Sequence, residues 1–407
     1  MRATTIAVAA LAVAAILVGG EKAASAQQTP PANPSTAASA SPAPTPTPTA
    51  TPYASGTIGG AFFVYGISTN NVNATGALDT TTGADQQTRA DVSDMLVNAS
   101  LTSGYYKLST TVGGYAFPTI GTAINSTFNN YNSLSGGTTC ANTSCYSLIP
   151  LWQAAYTSPD QHVTIYGGQI GTLLGAEGAF TYQNVNIERG LGWALEPVVS
   201  RGVHVGYSNG PWTIAAEYND GFYSGSLRTI EYEVAWAPSS ATSWTFVGMN
   251  PNANTPGNAT SFIANQSEYN LVYSHTAGRW TFSPYALLVT SPASASLGYT
   301  QAESDYAISL LGSYAFSSLF SLGFRIEDAE NEAATSAVTP NAFLLYGPGS
   351  SATTYTLTPT YKFAGNAMLR VEWGYVTVRN GAAGALFGTA GTSTNQNRFG
   401  IELGVSK

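Results

Sequence analysis

The chain has 407 residues, of which 9% are charged, 44% hydrophobic and 42 glycine, with a formal net charge of -8. Soluble domains carry about a quarter charged residues, so this composition argues against an ordinary soluble globule. The acidic balance gives no support to a basic patch for nucleic acid.

Arg2 precedes an apolar stretch from Ile6 to Val18, and Ala24-Ser25-Ala26 stands before Gln27 as a small-residue cleavage site. Residues 1–26 are therefore predicted to be a secretory signal peptide. Residues 27–54, with Pro-Ala-Pro-Thr-Pro-Thr-Pro-Thr-Ala-Thr-Pro at 42–52, favour polyproline II and cannot form a core. They are predicted to be a disordered periplasmic segment. No later run of about 18 apolar residues occurs, which excludes spanning helices.

From about Gly56 the chain repeats a unit of alternating segment, short turn, alternating segment and long polar loop. Ile230, Tyr232, Val234 and Trp236 alternate with Glu231, Glu233 and Ala235; Phe320, Leu322, Phe324 and Ile326 alternate with Ser321, Gly323, Arg325 and Glu327. One face is apolar and the other polar, a pattern that a soluble sandwich shares. The connections discriminate. Tight ones fall at Thr102–Gly104, Ser158–Gln161, Ser208–Pro211, Ala237–Thr242, Thr276–Arg279, Ser317–Ser318 and Ala364–Asn366. Long ones lie near 68–90, 117–147, 171–199, 220–227, 250–264, 291–302, 330–350 and 380–395, in strict alternation with the tight ones. Strands of about ten residues, about sixteen in number, make residues 55–407 an all-β, closed antiparallel transmembrane barrel with short periplasmic turns and long extracellular loops. Trp212, Trp236, Trp244, Trp280, Phe316, Phe320, Phe363, Tyr105 and Tyr106 all flank tight turns, as an aromatic girdle at the periplasmic boundary would.

Enzymatic and metal motifs carry little. Gly206-Tyr207-Ser208-Asn209-Gly210 matches a nucleophile elbow, but Asn-Gly here reads as a hairpin turn. His162, His204 and His275 are too few and scattered for a triad. No catalytic residue, cofactor or metal is expected. Cys140 and Cys145, with four residues between them, suggest a small disulfide-closed loop in an exported protein. Glu327, Asp328, Glu330 and Glu332 open a long loop and are read first as a solvated run, with a divalent-cation rim site as the sharper alternative.

The most distinctive segment holds Gly175-Ala176-Glu177, then Asn186-Ile187-Glu188-Arg189-Gly190 and Pro197-Val198-Val199-Ser200-Arg201-Gly202-Val203. Over Val163 to about Tyr223 the chain resembles the β-barrel porin-2 family, the OmpL-like porins of Gram-negative bacteria. The resemblance implies an outer-membrane barrel with a porin-like role. The final strand, Arg398 to Lys407, departs from the usual pattern by lacking a terminal aromatic residue.

Glu177, Glu188, Arg189, Glu196 and Arg201 are candidates for a pore constriction, if loop 171–199 folds inward. The competing reading is that its Glu-Arg pairs only tie the loop to the wall. Glu217, Glu231, Glu233, Arg325, Glu327, Lys362, Arg370 and Glu372 are candidate lumen-facing residues. The function expected is passive diffusion of small hydrophilic solutes or ions through the outer membrane. The alternative is a plugged structural or adhesin-type barrel acting through its extracellular loops. Expected partners are outer-membrane lipid, the solutes, the barrel insertion machinery and, by analogy with general porins, further copies in a homotrimer.

Overall fold

The computed structural model describes residues 54–72, 87–122, 124–126, 148–221, 227–252, 267–293, 301–332, 346–363 and 366–407. The signal peptide, all but the last residue of the Pro/Thr/Ala segment, Cys140 and Cys145 lie outside the described residues.

Sixteen strands form the barrel: β1 (Ser55–Thr69), β2 (Thr88–Ser103), β3 (Tyr106–Phe117), β4 (Leu151–Thr157), β5 (Val163–Gly171), β6 (Val199–Asn209), β7 (Trp212–Asn219) and β8 (Thr229–Ser239). They continue with β9 (Thr242–Pro251), β10 (Ser267–Ala277), β11 (Trp280–Ser291), β12 (Glu303–Ala315), β13 (Phe320–Asn331), β14 (Ser351–Phe363), β15 (Ala367–Arg379) and β16 (Asn395–Ser406). Each pairs antiparallel with its sequence neighbour, and β1 pairs with β16 from Ala61↔Ser406 to Thr69↔Arg398, which closes the sheet. Closure removes both edges, so every ladder has a partner and the backbone can lie in lipid. A two-residue strand, Asn125–Ser126, pairs separately with the end of β3.

Tight turns follow their residues. Gly104, Gly210 and Gly278 each open a two-residue loop with φ near the left-handed region, at 58°, 57° and 59°. A side chain is disfavoured at such a φ, whereas glycine reaches it freely and matches the strand twist. The tight turns gather at one end of the barrel together with both ends of the sheet, as the alternation of short and long connections requires.

Period-two alternation sets the two faces. Phe399, Ile401, Leu403 and Val405 point outward and are exposed, while Arg398 and Glu402 between them are buried inside. The same outward band includes Ile214, Val234, Phe246, Leu271, Ile308, Ile326 and Leu357. So continuous an apolar exterior has only lipid as a suitable solvent. At the tight-turn end Trp212 stacks on Trp236 at 5.9 Å, Trp244 meets Tyr273 at 4.4 Å, and Trp280, Tyr314, Phe316 and Phe320 form a chain of ring contacts. The aromatic girdle is present.

The interior departs from a uniformly polar face. Tyr285, Leu287 and Val289 of β11, Ala307 and Leu311 of β12 and Val376 and Val378 of β15 point inward and are buried with Ile120, Leu191, Leu195 and Phe387 from loops. The barrel thus encloses an apolar core on its β11–β15 side. Strand β11 carries Ala286-Leu287-Leu288-Val289 without alternation, the mark of a strand covered on both faces.

Candidate channel constriction

Loop 171–199 crosses the barrel interior and is pinned at both backbone and side chains. At its start Thr172 Oγ1 and Leu173 N donate to Glu231 of β8 at 2.8 and 2.7 Å. Thr181 Oγ1 donates to Asp94 of β2 at 2.5 Å. Further along, Ile187 N and Glu188 N both donate to Glu372 of β15, at 2.6 and 2.9 Å. Leu191 N and Gly192 N donate to Glu327 of β13, at 2.7 and 2.9 Å. At these positions wall carboxylates take the place of a strand partner, which satisfies backbone donors buried away from water.

Three arginines complete the attachment. Arg325 of β13 pairs with Glu177 at 2.8 Å and donates to Glu188 O at 2.7 Å. Arg398 of β16 pairs with Glu188 at 2.6 Å and also donates to Thr119 O. Arg370 of β15 pairs with Glu402 and donates to Thr181 O, Asn184 O and Asn186 O. Each guanidinium has several donors in a rigid fork, so one side chain holds a carboxylate and loop carbonyls together.

Arg189 does something different. It is fully buried, donates to Gly178 O and Ala179 O within its own loop, and lies over Phe117 and Trp193 at 5.4 and 5.0 Å. Burial pulls its guanidinium down to about 10, so it remains charged at neutral pH, helped by the ring faces. Its backbone joins Pro118 and Ile120, so the first residues after β3 fold inward beside the loop. The Asn-Ile-Glu-Arg-Gly-Leu-Gly stretch uses its glycines for close approach. A Cβ at Gly190 would lie 2.5 Å from Glu327 Oε1, and one at Gly192 2.6 Å from the Tyr285 hydroxyl.

Glu196, also on this loop, forms no ion pair with any described residue, and Asn270 Nδ2 of β10 donates to its Oε1 at a long 3.5 Å. Burial and then the charges of Glu177, Glu327 and Glu231 raise its carboxyl well above the ordinary range. On the neighbouring wall, Glu217 of β7 bonds His204 at 3.0 Å and Asn219 at 3.1 Å, and His204 stacks on Tyr166 at 4.1 Å. Glu233 shares this inward face and is half-buried.

Of the constriction candidates, the structure brings Glu177, Glu188, Arg189 and Glu196 together inside the barrel. Arg201 is corrected: it takes the outward register of Val203, Val205 and Tyr207, with its side chain 60% exposed and bonded to Asp220. Loop contacts end at Val198, and alternation along β6 puts odd-numbered residues outside. Glu217, Glu231, Glu233, Arg325, Glu327, Arg370 and Glu372 point inward; Lys362 shares the inward register of Thr356, Thr358 and Thr360 but sits exposed near the tight-turn end, away from the cluster. Asp94, Arg398 and Glu402 belong to the cluster and were missed; the outward apolar alternation of the last strand already implied that Arg398 and Glu402 face inward. Within the acidic run, Glu327 is an interior anchor, while Asp328 bonds Arg379 on the outside and Glu330 bonds Tyr306. Ser208 lies at a hairpin; its hydroxyl meets Thr213, and His162 Nδ1 contacts its carbonyl rather than its hydroxyl.

Beside this cluster the β2–β4 wall borders a cavity of about 490 Å³, whose inward-facing lining includes Asn98, Ser100, Lys107, Ser109, Thr111 and Gln153. A family model described as "Putative beta-barrel porin-2, OmpL-like" matches residues 56–406. The chain belongs to this porin family. It is a protein of the Gram-negative outer membrane. The fold is similar to that of an anion-selective porin from Comamonas acidovorans, with TM-score 0.57 and 11% identity over 87% of this chain and 100% of that one. It is also similar to the outer-membrane channel DcaP of Acinetobacter baumannii, with TM-score 0.53 and 12% identity over 87% and 98% of the two chains. In vitro folded OmpT, an outer-membrane protein of Vibrio cholerae, gives TM-score 0.52 and 13% identity over 87% and 98%. No curated protein matches the chain in sequence. At these identities the structural likeness speaks for the fold, and membership of the family rests on the sequence match.

Proposed function

We propose that this porin-family barrel is a narrow channel for small hydrophilic solutes or ions, with loop 171–199 as its constriction and a preference for cations. The observation that carries this reading is the division of interior charge. Arg325, Arg370 and Arg398 are each neutralised by Glu177, Glu402 and Glu188. Glu231 and Glu233 of β8 form no ion pair with any described residue and lie on the inward face beside the start of the loop. An uncompensated carboxylate surface beside a confined path attracts cations and repels anions. In this the chain would differ from the Comamonas porin, described as anion-selective.

The apolar core on the β11–β15 side leaves the opposite wall, from β2 to β9, as the route. Conductance should accordingly be small for a sixteen-stranded barrel. The zero-current potential of the purified protein in a planar bilayer under a salt gradient tests the reading; a potential of cation sign supports it and one of anion sign refutes it.

That same enclosed core favours a second reading, a plugged barrel acting through its loops. Such a barrel would pass almost no current. A trimer, as one form of Vibrio OmpT is described, is proposed as the assembly, and chemical cross-linking in membranes would test it.

A further inference from the structure

Glu268, on β10, is fully buried, and neither of its carboxylate oxygens has a hydrogen-bond partner. Two residues along the same inward face, Asn270 offers its amide nitrogen to Glu196, while its Oδ1 is buried and unpartnered. The hydroxyls of Tyr285 on β11 and Ser309 on β12, residues that face each other across the ladder, are buried without partners too.

A carboxylate taken out of water with neither donor nor counter-charge is unstable; it must neutralise or acquire a cation. Arg325, Arg370 and Arg398 are already committed to Glu177, Glu402 and Glu188, and Arg189 donates to carbonyls of its own loop. The orphaned atoms of Glu268 and Asn270 are oxygens, from a carboxylate and an amide, a set that suits a hard cation. Among the described residues no three of His, Cys, Asp and Glu converge at metal-ligand spacing. Carboxylates therefore supply two groups, and the amide oxygen and water complete the shell, as at weak, exchangeable sites.

We propose that Glu268, Glu196 and Asn270 bind one hard divalent cation of the calcium or magnesium type inside the barrel. Glu268 is the second residue of β10, near the long-loop end, and Glu196 is near the end of the pinned loop. The ion would fasten that last part of the loop to the wall, where the earlier parts use Glu231, Glu372 and Glu327. The site does not depend on whether the channel conducts.

The test titrates the folded protein, stripped by a chelator, with Ca²⁺ and separately with Mg²⁺, and reads bound ion by equilibrium dialysis. One saturable site per barrel is expected in the wild type, weakened by about tenfold or more in Glu268→Gln. Glu217→Gln, whose carboxylate already bonds His204 and Asn219, should bind as the wild type does. Ca²⁺ should also raise the thermal midpoint of the wild type and leave Glu268→Gln unmoved. If Glu268→Gln does not fold, Asn270→Ala serves for the same comparison. Absence of binding to the wild type at millimolar ion would overturn the proposal and leave a proton as the occupant of Glu268. Unchanged binding by the variants would overturn it as well, placing the ion on outward carboxylates such as Asp328.

Discussion

Arg325 and Glu177 lie 148 residues apart in sequence and meet at 2.8 Å inside the barrel, both side chains fully buried. The pair joins wall to loop, and removing one member leaves the other charge buried and uncompensated. Arg325→Met should cost about 3 to 5 kcal/mol in urea-induced unfolding. The double variant with Glu177→Gln should recover part of that loss, because no charge is then stranded. Equal stability of the single variant and the wild type would show that the pair is not closed in the membrane.

The second prediction separates the faces of one strand. Val234 points into lipid and Ala235 into the barrel. Val234→Arg should destabilise insertion by about 2 to 4 kcal/mol near the bilayer midplane, whereas Ala235→Arg should cost much less because water can reach it. Folding yield into lipid vesicles across a urea series measures both.

Selectivity should respond to the unpaired carboxylates. Glu231→Gln with Glu233→Gln is expected to shift the zero-current potential toward anions, more strongly in dilute salt, where screening is weaker. Arg201→Gln should leave selectivity unchanged, since that side chain is outside. A shift with Arg201→Gln and none with the glutamates would reverse the placement of the route.

The raised carboxyl of Glu196 predicts a pH dependence of stability. A folded-state value above the ordinary 4.5 means that the folded protein holds a proton the unfolded chain releases. Its contribution is therefore full below about pH 4.5 and is lost as pH rises above that. In chelator, the urea midpoint of the wild type should fall relative to Glu196→Gln as pH rises from acid to neutral. A constant difference between the two would mean that Glu196 is not held protonated.

Barrel, girdle and orientation were legible because each rests on a local rule. Alternation along the last strand places Phe399 outside and Arg398 inside whatever the rest of the chain does, and Asn209-Gly210 turns tightly wherever it stands. Loop 171–199 announced itself by charges such as Glu177, Glu188 and Arg189 in a chain that has few. Its partners did not, because Asp94, Arg398 and Glu402 carry no signal beyond an inward register. Arg201 was misplaced although the loop's end was read correctly, because one residue decides the face of a strand.

By itself the sequence determined that the chain crosses the membrane as a closed antiparallel sheet, since short-range periodicity and turn chemistry specify which residues meet lipid. Only the tertiary structure decided what fills the lumen. Glu177 with Arg325, Glu188 with Arg398 and Ile187 N with Glu372 are encounters between residues more than a hundred positions apart. Such pairings depend on barrel curvature and on the path of the loop across it, which no local pattern encodes. The same geometry leaves Glu196 and Glu268 without a cationic partner among the described residues, because Arg325, Arg370 and Arg398 are committed to Glu177, Glu402 and Glu188.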